Sequence, residues 1–234
     1  MRALRRALGL RDYVSGAGEL RGRTSLSIQL VRDQVTGGEL LDIGSSTGWL
    51  ELALQDTSTV RITGVECNPD AVATARTMVP TGCFVEGSAL KLPFSDSTFD
   101  AAVFFEVIEH LPRRSEPAAL AEIRRVLRPG AALLLSTPYA HPMSCCLDPA
   151  WYLGHRHYST TRLTKLLTSA RFSVDRILVR GGTFELLGVL AFYIFKWIFR
   201  AEVPFREWID AGREREFLTE RQGYSTVFAV ATAV

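Results

Sequence analysis

The stretch Leu40 to Leu52, LLDIGSSTGWLEL, decides the fold. An apolar run ends in Asp42, a turn follows with Gly44, Ser46 and Gly48, and a helical pattern begins at Trp49. A strand that stops in a glycine-bearing turn at a helix N-terminus lets a ligand come close to the chain and turns free N–H groups toward it. Two familiar cradles with this outline do not fit. A phosphate loop needs Gly-Lys-Ser/Thr after its second glycine, and here Gly48 is followed by Trp49 and Leu50. The dinucleotide spacing G-x-G-x-x-G is also absent, because Ser45, Ser46 and Thr47 separate Gly44 from Gly48.

Outward from the cradle, VRITGVECNP reads as a second buried strand ending in Glu66, followed by a helix over Asp70 to Met78. An acid at the end of the second strand of a nucleoside-binding sheet is placed to accept ribose hydroxyls. A third strand ends near Glu86, and PFSDSTFD leads into a fourth over Ala101 to Phe105. A helix over Ser115 to Leu127, a turn at Pro129 and Gly130, and a fifth strand from Ala131 to Thr137 follow. Then come a helix over Thr160 to Ala170, a strand over Phe172 to Val179, and TVFAVATAV as the last strand. Alternating strands and helices imply parallel pairing with helices on both faces and a ligand at the C-terminal strand ends. That rule gathers the cradle, Glu66, Ser88 and Glu106 on one rim.

The cradle resembles motif I of the class I S-adenosylmethionine (SAM) methyltransferases, close to D-x-G-x-G-T-G, with Ser46 at the middle glycine. VECNPDAVATAR and the passage from Cys83 to Leu111 resemble the same family. The resemblance implies an α/β fold: a Rossmann-like, doubly wound seven-stranded sheet, mostly parallel with the last strand antiparallel. It also implies SAM as cofactor, held by Asp42, Gly44, Ser46, Gly48, Trp49, Glu66, Ser88, Ala89, Leu90 and Glu106. Ser88, Ala89 and Leu90 would line the adenine edge, with serine where the family usually has aspartate. A sulfonium carbon is stabilised by oxygens and aromatic faces, so Trp49 and carbonyls at the end of the fourth strand are its expected neighbours.

At 234 residues with a net charge of +2, the chain suits one α/β domain with an elaboration and offers no strong basic stripe for nucleic acid. Cys67, Cys83, Cys145 and Cys146 lack C-x-x-C spacing and read as reduced thiols of a cytoplasmic protein. The N-terminus lacks the apolar core of a secretory signal. Arg2, Arg5, Arg6 and Arg11 alternate with leucines as in a short basic amphipathic helix, which either lies on an anionic membrane or caps the domain. The expected divisions are a helical cap over 1–38, the SAM-binding core over 39–180, an apolar and basic helical insert over 181–223, and the final strand over 224–234.

Two constellations carry candidate chemistry. Glu106, Glu109 and His110 are spaced to converge on the turn after the fourth strand, and they suit a divalent cation such as Mg²⁺. This E-x-x-E-H string resembles the metal site of ubiquinone-biosynthesis O-methyltransferases and of small-RNA 2′-O-methyltransferases, where a further histidine completes it; here that is His155 or His157. The same string packs the turn without metal in many methyltransferases. The second constellation is GHRHYS, where His155 or His157 is the expected base for a hydroxyl proton, unless the histidines only cap the helix at Thr160.

From Phe184 to Phe199 the chain is apolar nearly all round. Such a helix spans about 24 Å, short of the roughly 30 Å hydrocarbon core. It reads either as a buried core or dimer helix or as a monotopic insert over 184–200, the latter with Tyr193, Lys196, Trp197 and Arg200 at headgroup level and Arg206, Arg213 and Arg215 near anionic lipid. The expectation is SAM-dependent O-methylation of a lipophilic or membrane-associated small molecule, in the cytoplasm at the inner face of the membrane. The alternatives are a soluble acceptor with the insert as a dimer interface, and a SAM-binding scaffold without turnover.

Overall fold

The computed structural model describes residues 21–57, 59–152 and 154–234, the side chains of Lys196 and Trp197 aside. The basic segment at residues 2–11 lies outside the described residues. Helix α1 (Arg23–Gln34) leads into β1 (Gly38–Ile43), α2 (Trp49–Leu54), β2 (Val60–Glu66), α3 (Pro69–Met78), β3 (Cys83–Glu86) and β4 (Phe99–Phe105). A 3₁₀ turn over Ile108–His110 precedes α4 (Glu116–Val126) and β5 (Leu127–Pro138). Two short helices, α5 (Pro142–Leu147) and α6 (Pro149–Tyr152), then α7 (Thr160–Ser169) and β6 (Phe172–Arg180), complete the core apart from its final strand. The hairpin of α8 (Thr183–Ile194) and α9 (Arg206–Leu218) separates β6 from β7 (Thr226–Ala233).

The seven strands form one sheet in the order β3-β2-β1-β4-β5-β7-β6. The first five pair in parallel and β7 runs antiparallel to both β5 and β6, as the resemblance implies. Both faces are buried, which is why the central strands read as continuous apolar runs. Leu41, Ile43, Phe104 and Leu135 join Leu120, Ile123 and Leu163 on one side. Leu40, Val103 and Phe228 join Leu30, Leu50 and Phe217 on the other.

Two boundaries differ from the sequence reading. The Pro129–Gly130 pair does not precede β5 but lies within it: Leu127 pairs with Phe99, and the register shifts before Ala132 meets Ala101. Gly130 sits at φ 81°, so the glycine absorbs an irregularity inside a longer strand. The apolar helix also divides. Its α-helical part ends at Ile194, a π turn runs over Phe195–Phe199, and Arg200 stops it at φ 50°. The base of the hairpin is fastened by Glu216 of α9, whose carboxylate accepts from the N–H groups of Gly182, Phe184 and Glu185 at 2.9 to 3.1 Å. It thereby satisfies first-turn donors of α8.

Candidate active site

The C-terminal ends of β1, β2 and β4 and the loop after β3 open onto a cavity of about 1770 Å³. Ligand pockets ordinarily measure about 300–1000 Å³, so this one has room for a cofactor and an acceptor together. The cradle loop is left-handed at Gly44 (φ 82°), Ser46 (φ 51°) and Gly48 (φ 80°). A Cβ at Gly44 would strike the Val107 side chain, so that position admits only glycine. Gly44 and Ser45 donate their N–H groups to the Val65 carbonyl at 2.7 and 3.2 Å, which ties the loop to β2. Glu66 closes the corner, its Oε2 accepting from Ser46 N at 3.2 Å and its Oε1 from Asn68 N at 2.8 Å. Each oxygen keeps capacity for a ribose hydroxyl. Ser88, Ala89, Leu90 and Trp49 line the same cavity, and the Ser88 hydroxyl accepts from Leu90 N at 3.2 Å. A glycine-rich turn, a fixed acid at the end of β2 and an aromatic wall fit a nucleoside-bearing cofactor.

Asp42 is placed differently. It is 4% exposed and lies behind the loop, outside the cavity lining. Its Oδ2, the Ser45 hydroxyl and both carboxylate oxygens of Glu51 are buried without a hydrogen-bond partner. Gly64 makes the room: a Cβ there would sit 2.6 Å from Glu51 Oε1 and 2.7 Å from Ser45 Oγ. Burial, then the charges of Glu51 and Glu66, push the Asp42 carboxyl well above the usual range. Burial pushes Glu51 up to about 7.

Across the cavity from the cradle, Glu106 takes a left-handed conformation (φ 55°) just past β4. Arg23 of α1 reaches its Oε2 at 2.7 Å, and the Ser136 hydroxyl donates to Oε1 at 2.7 Å. Glu106 is therefore separated from the metal set expected for it. Glu109 and His110 instead meet His155, with His155 Nε2 3.3 Å from His110 Nε2 and 3.9 Å from Glu109 Oε1. The three are close enough to share one cation. Glu109 Oε1 is a buried orphan, while Oε2 accepts from Thr137 at 3.0 Å. Burial, followed by the neighbouring Glu106 carboxylate, pushes Glu109 well above the carboxylate range.

The two histidines of GHRHYS part company. His157, with its side chain 1% exposed, is engaged on both ring nitrogens: Nε2 meets Asp148 Oδ2 at 3.0 Å and Nδ1 meets Cys145 Sγ at 3.5 Å. His155 keeps 18% of its side chain exposed, with Nδ1 3.5 Å from the same Asp148 oxygen. Asp148 is held below the carboxylate range: burial opposes this, but the nearby His155 imidazole and the hydrogen bonds with His157 and Ala150 N outweigh it. Arg156, between the histidines, points the other way and donates to the carbonyls of Ile108, Glu109 and Leu111 and to Glu116 Oε1. An extended chain alternates its side chains, so His155 and His157 share Asp148 while Arg156 anchors the loop to the 3₁₀ turn. Arg23, Asp148, Arg156 and Glu116 were not found by sequence reasoning; only the H-R-H alternation carried a signal for one of them.

Residues 41–135 match the methyltransferase domain family model. Over that segment the chain resembles the SAM-dependent methyltransferases, and its seven-stranded sheet is that of the Rossmann-like methyltransferase fold. A probable S-adenosylmethionine-dependent methyltransferase of Mycolicibacterium smegmatis is 31% identical over 168 residues, which is 71% of this chain and 63% of that protein. An O-methyltransferase of Pyrenophora dematioidea is 36% identical over 106 residues, 43% of this chain and 39% of that one. The chain thus spans less than two thirds of the curated relatives it matches. Among solved structures, a [4+2]-cyclase superposes with a TM-score of 0.68 at 20% identity, over 94% of this chain and 85% of that one. That likeness is one of fold.

Proposed function

We propose that the protein is a methyltransferase that moves the methyl group of SAM to an oxygen of a lipophilic small molecule, in the cytoplasm beside a membrane. The observation carrying this reading is one cavity that runs from Glu66 and the cradle, past His155, to Leu186, Val189 and Phe192 of α8. SAM supplies an electrophilic methyl on a sulfonium when bound. Glu66 would hold the ribose and Ser88 to Leu90 would border the adenine, while Arg23 stands at the cradle end, held to Glu106. Methyl transfer is an in-line displacement, so most of the rate comes from positioning the acceptor.

A hydroxyl acceptor must also lose its proton, and His155 is the base in this reading. Asp148 Oδ2 lies 3.5 Å from its Nδ1, and its Nε2 faces His110 Nε2 at 3.3 Å, a contact that an acceptor hydroxyl entering the cavity would replace. His157, with its side chain 1% exposed and held on both ring nitrogens, is closed to the acceptor. The test is incubation of labelled SAM with a lipid extract and with a soluble extract of the source cells. Label in the lipid fraction, lost with His155→Asn, supports the reading; label only in the soluble fraction ends it.

A second reading is favoured by the orphan Glu109 Oε1: a divalent cation at Glu109, His110 and His155. Two imidazoles and one carboxylate suit Mn²⁺ or Zn²⁺ better than Mg²⁺, which prefers oxygen ligands. Such an ion would supply a positive charge for an ionised acceptor oxygen. Turnover abolished by a chelator and restored by Mn²⁺ supports this reading; indifference to chelation removes it.

A further inference from the structure

We infer that the distal end of the α8–α9 hairpin, residues Ile198 to Trp208, is a wedge that inserts into the acyl boundary of a lipid leaflet. Most of α8 itself is unsuited to this, because among the described side chains from Phe184 to Phe195 only Leu187 is exposed. Exposure concentrates at the tip instead: Ile198 is 71% exposed, Phe199 61%, Phe205 82% and Trp208 62%. Phe205 is held at φ 55° as the residue before α9, and Arg200 at φ 50° closes the π turn. The bend that presents these side chains is thus fixed in the backbone.

The occupant follows from area, charge and position. Full burial of a large side chain removes about 150–250 Å² from water, so the four expose on the order of 500 Å². A stable protein partner requires about 800 Å² a side, and a small convex tip falls short of it. Insertion into lipid has no such threshold, since a leaflet closes round whatever apolar surface enters.

Charge points the same way. Between Ile198 and Trp208, Arg200 and Arg206 balance Glu202 and Glu207. Of Arg206, Arg213 and Arg215, expected from sequence to meet anionic lipid, the first two pair with Asp210 and Arg213 also with Glu185, while Arg215 is exposed on α9 beyond the tip. Binding is therefore apolar insertion and not electrostatic adsorption. Position completes the case: Arg200 to Val203 and Arg206 border the same cavity as His155, so the wedge sits beside the acceptor's way in. This deepens the proposed lipophilic acceptor and rests on it for its purpose, though not for its measurement.

The experiment is flotation of the full chain with vesicles of phosphatidylcholine alone and with added phosphatidylglycerol, at low and high salt. Insertion predicts binding to both, little changed by salt, and quenching of tryptophan fluorescence by brominated lipid. Phe205→Asp with Trp208→Asp should weaken vesicle binding at least ~10-fold while leaving SAM titration unchanged, which shows that the variant folds. Trp208→Phe should keep flotation and lose part of the quenching. Absence of flotation, flotation only to the anionic vesicles at low salt, or a dimer in solution that the double variant dissociates would each overturn the wedge. If vesicles are ignored while label enters the lipid extract, the wedge fails and the acceptor reading stands; vesicle binding with label only in the soluble extract gives the reverse.

Discussion

Glu51 and Glu116 occupy the same kind of place and meet opposite treatment. Each lies in the first turn of a helix, where the macrodipole favours a negative charge. Each is at most 4% exposed. Glu116 receives Arg156 at 2.7 Å, Arg162 at 3.1 Å and the Tyr158 hydroxyl at 3.0 Å. Burial would raise its carboxyl, but its own backbone N–H, Tyr158 and the two guanidiniums outweigh burial and hold it below the usual range. Glu51 has no such partner and is pushed up to about 7. Helix position alone therefore does not decide the state of a buried acid. The difference also divides the rim by task, because Glu116 fastens the acceptor loop while the Asp42–Glu51 pair leaves the cradle resting on unsatisfied oxygens.

The largest effect should come from the loop that Glu116 fastens. His155→Asn should lower turnover by about 10²- to 10⁴-fold with SAM affinity unchanged, as for loss of a general base. His157→Asn should act mainly on stability, because it breaks the Asp148 contact without removing a group that faces the acceptor. Turnover and SAM titration on both variants separate the two roles. Equal losses of turnover would mean that the loop works only as a wall.

Glu116→Gln comes next. Removing the charge leaves the half-buried Arg156 without its carboxylate, while Arg162, with 52% of its side chain exposed, stays hydrated, so the loss is about 2 kcal/mol. Denaturant unfolding measures it. Because Arg156 also carries the histidine loop, the variant should lose turnover in the same step, and a stable variant with full activity would break the anchoring argument.

How much of this was legible follows from how local each feature is. Gly44, Gly48 and Glu66 announce themselves because a strand, a left-handed turn and the next strand end must fall at fixed distances along the chain. The mostly parallel seven-stranded sheet and its antiparallel last strand came with the family resemblance which that pattern carries, whereas the strand order was not read from the sequence. Glu106, read both as a cofactor neighbour and as a metal ligand, lines the cavity and pairs with Arg23 from 83 residues away, a pairing that no spacing announces. The Glu116–Arg156 anchor spans 40 residues and is equally silent; Asp148 is only nine residues from His157, but in a stretch with no period to mark which side chains turn together. The hairpin was legible as apolar but not as bent. Where its surface emerges depends on the π turn and on Gly212 letting Phe184 approach α9, and neither has a periodic signature.

Glu51→Gln should act in the opposite sense to Glu116→Gln. The unfolded carboxyl titrates near 4.5 and the folded one near 7. As pH rises through that window the unfolded chain gives up its proton first, so the folded state loses stability up to about pH 7 and holds level above it. Glutamine removes the ionisation and brings an N–H₂ donor to the Asp42 side. The variant should gain about 2 kcal/mol at pH 8 and little at pH 4.5. Thermal unfolding across that range tests the sign, and a loss at pH 8 would show that the charged pair has a partner such as a bound cation.

The smallest effect is expected where the resemblance shows its clearest departure. Ser46 holds φ 51°, and relieving a non-glycine left-handed residue returns about 1–2 kcal/mol. Glycine in its place restores the usual family residue but frees the unfolded chain, which costs about 0.4–1 kcal/mol. The two partly cancel, so Ser46→Gly should raise stability by no more than ~1.5 kcal/mol. The N–H that donates to Glu66 is kept, so SAM affinity should move by no more than a few-fold. A large gain in affinity would mean that the serine side chain obstructs the cofactor, and the strain on the cradle would then lie in the loop itself and not in the acids behind it.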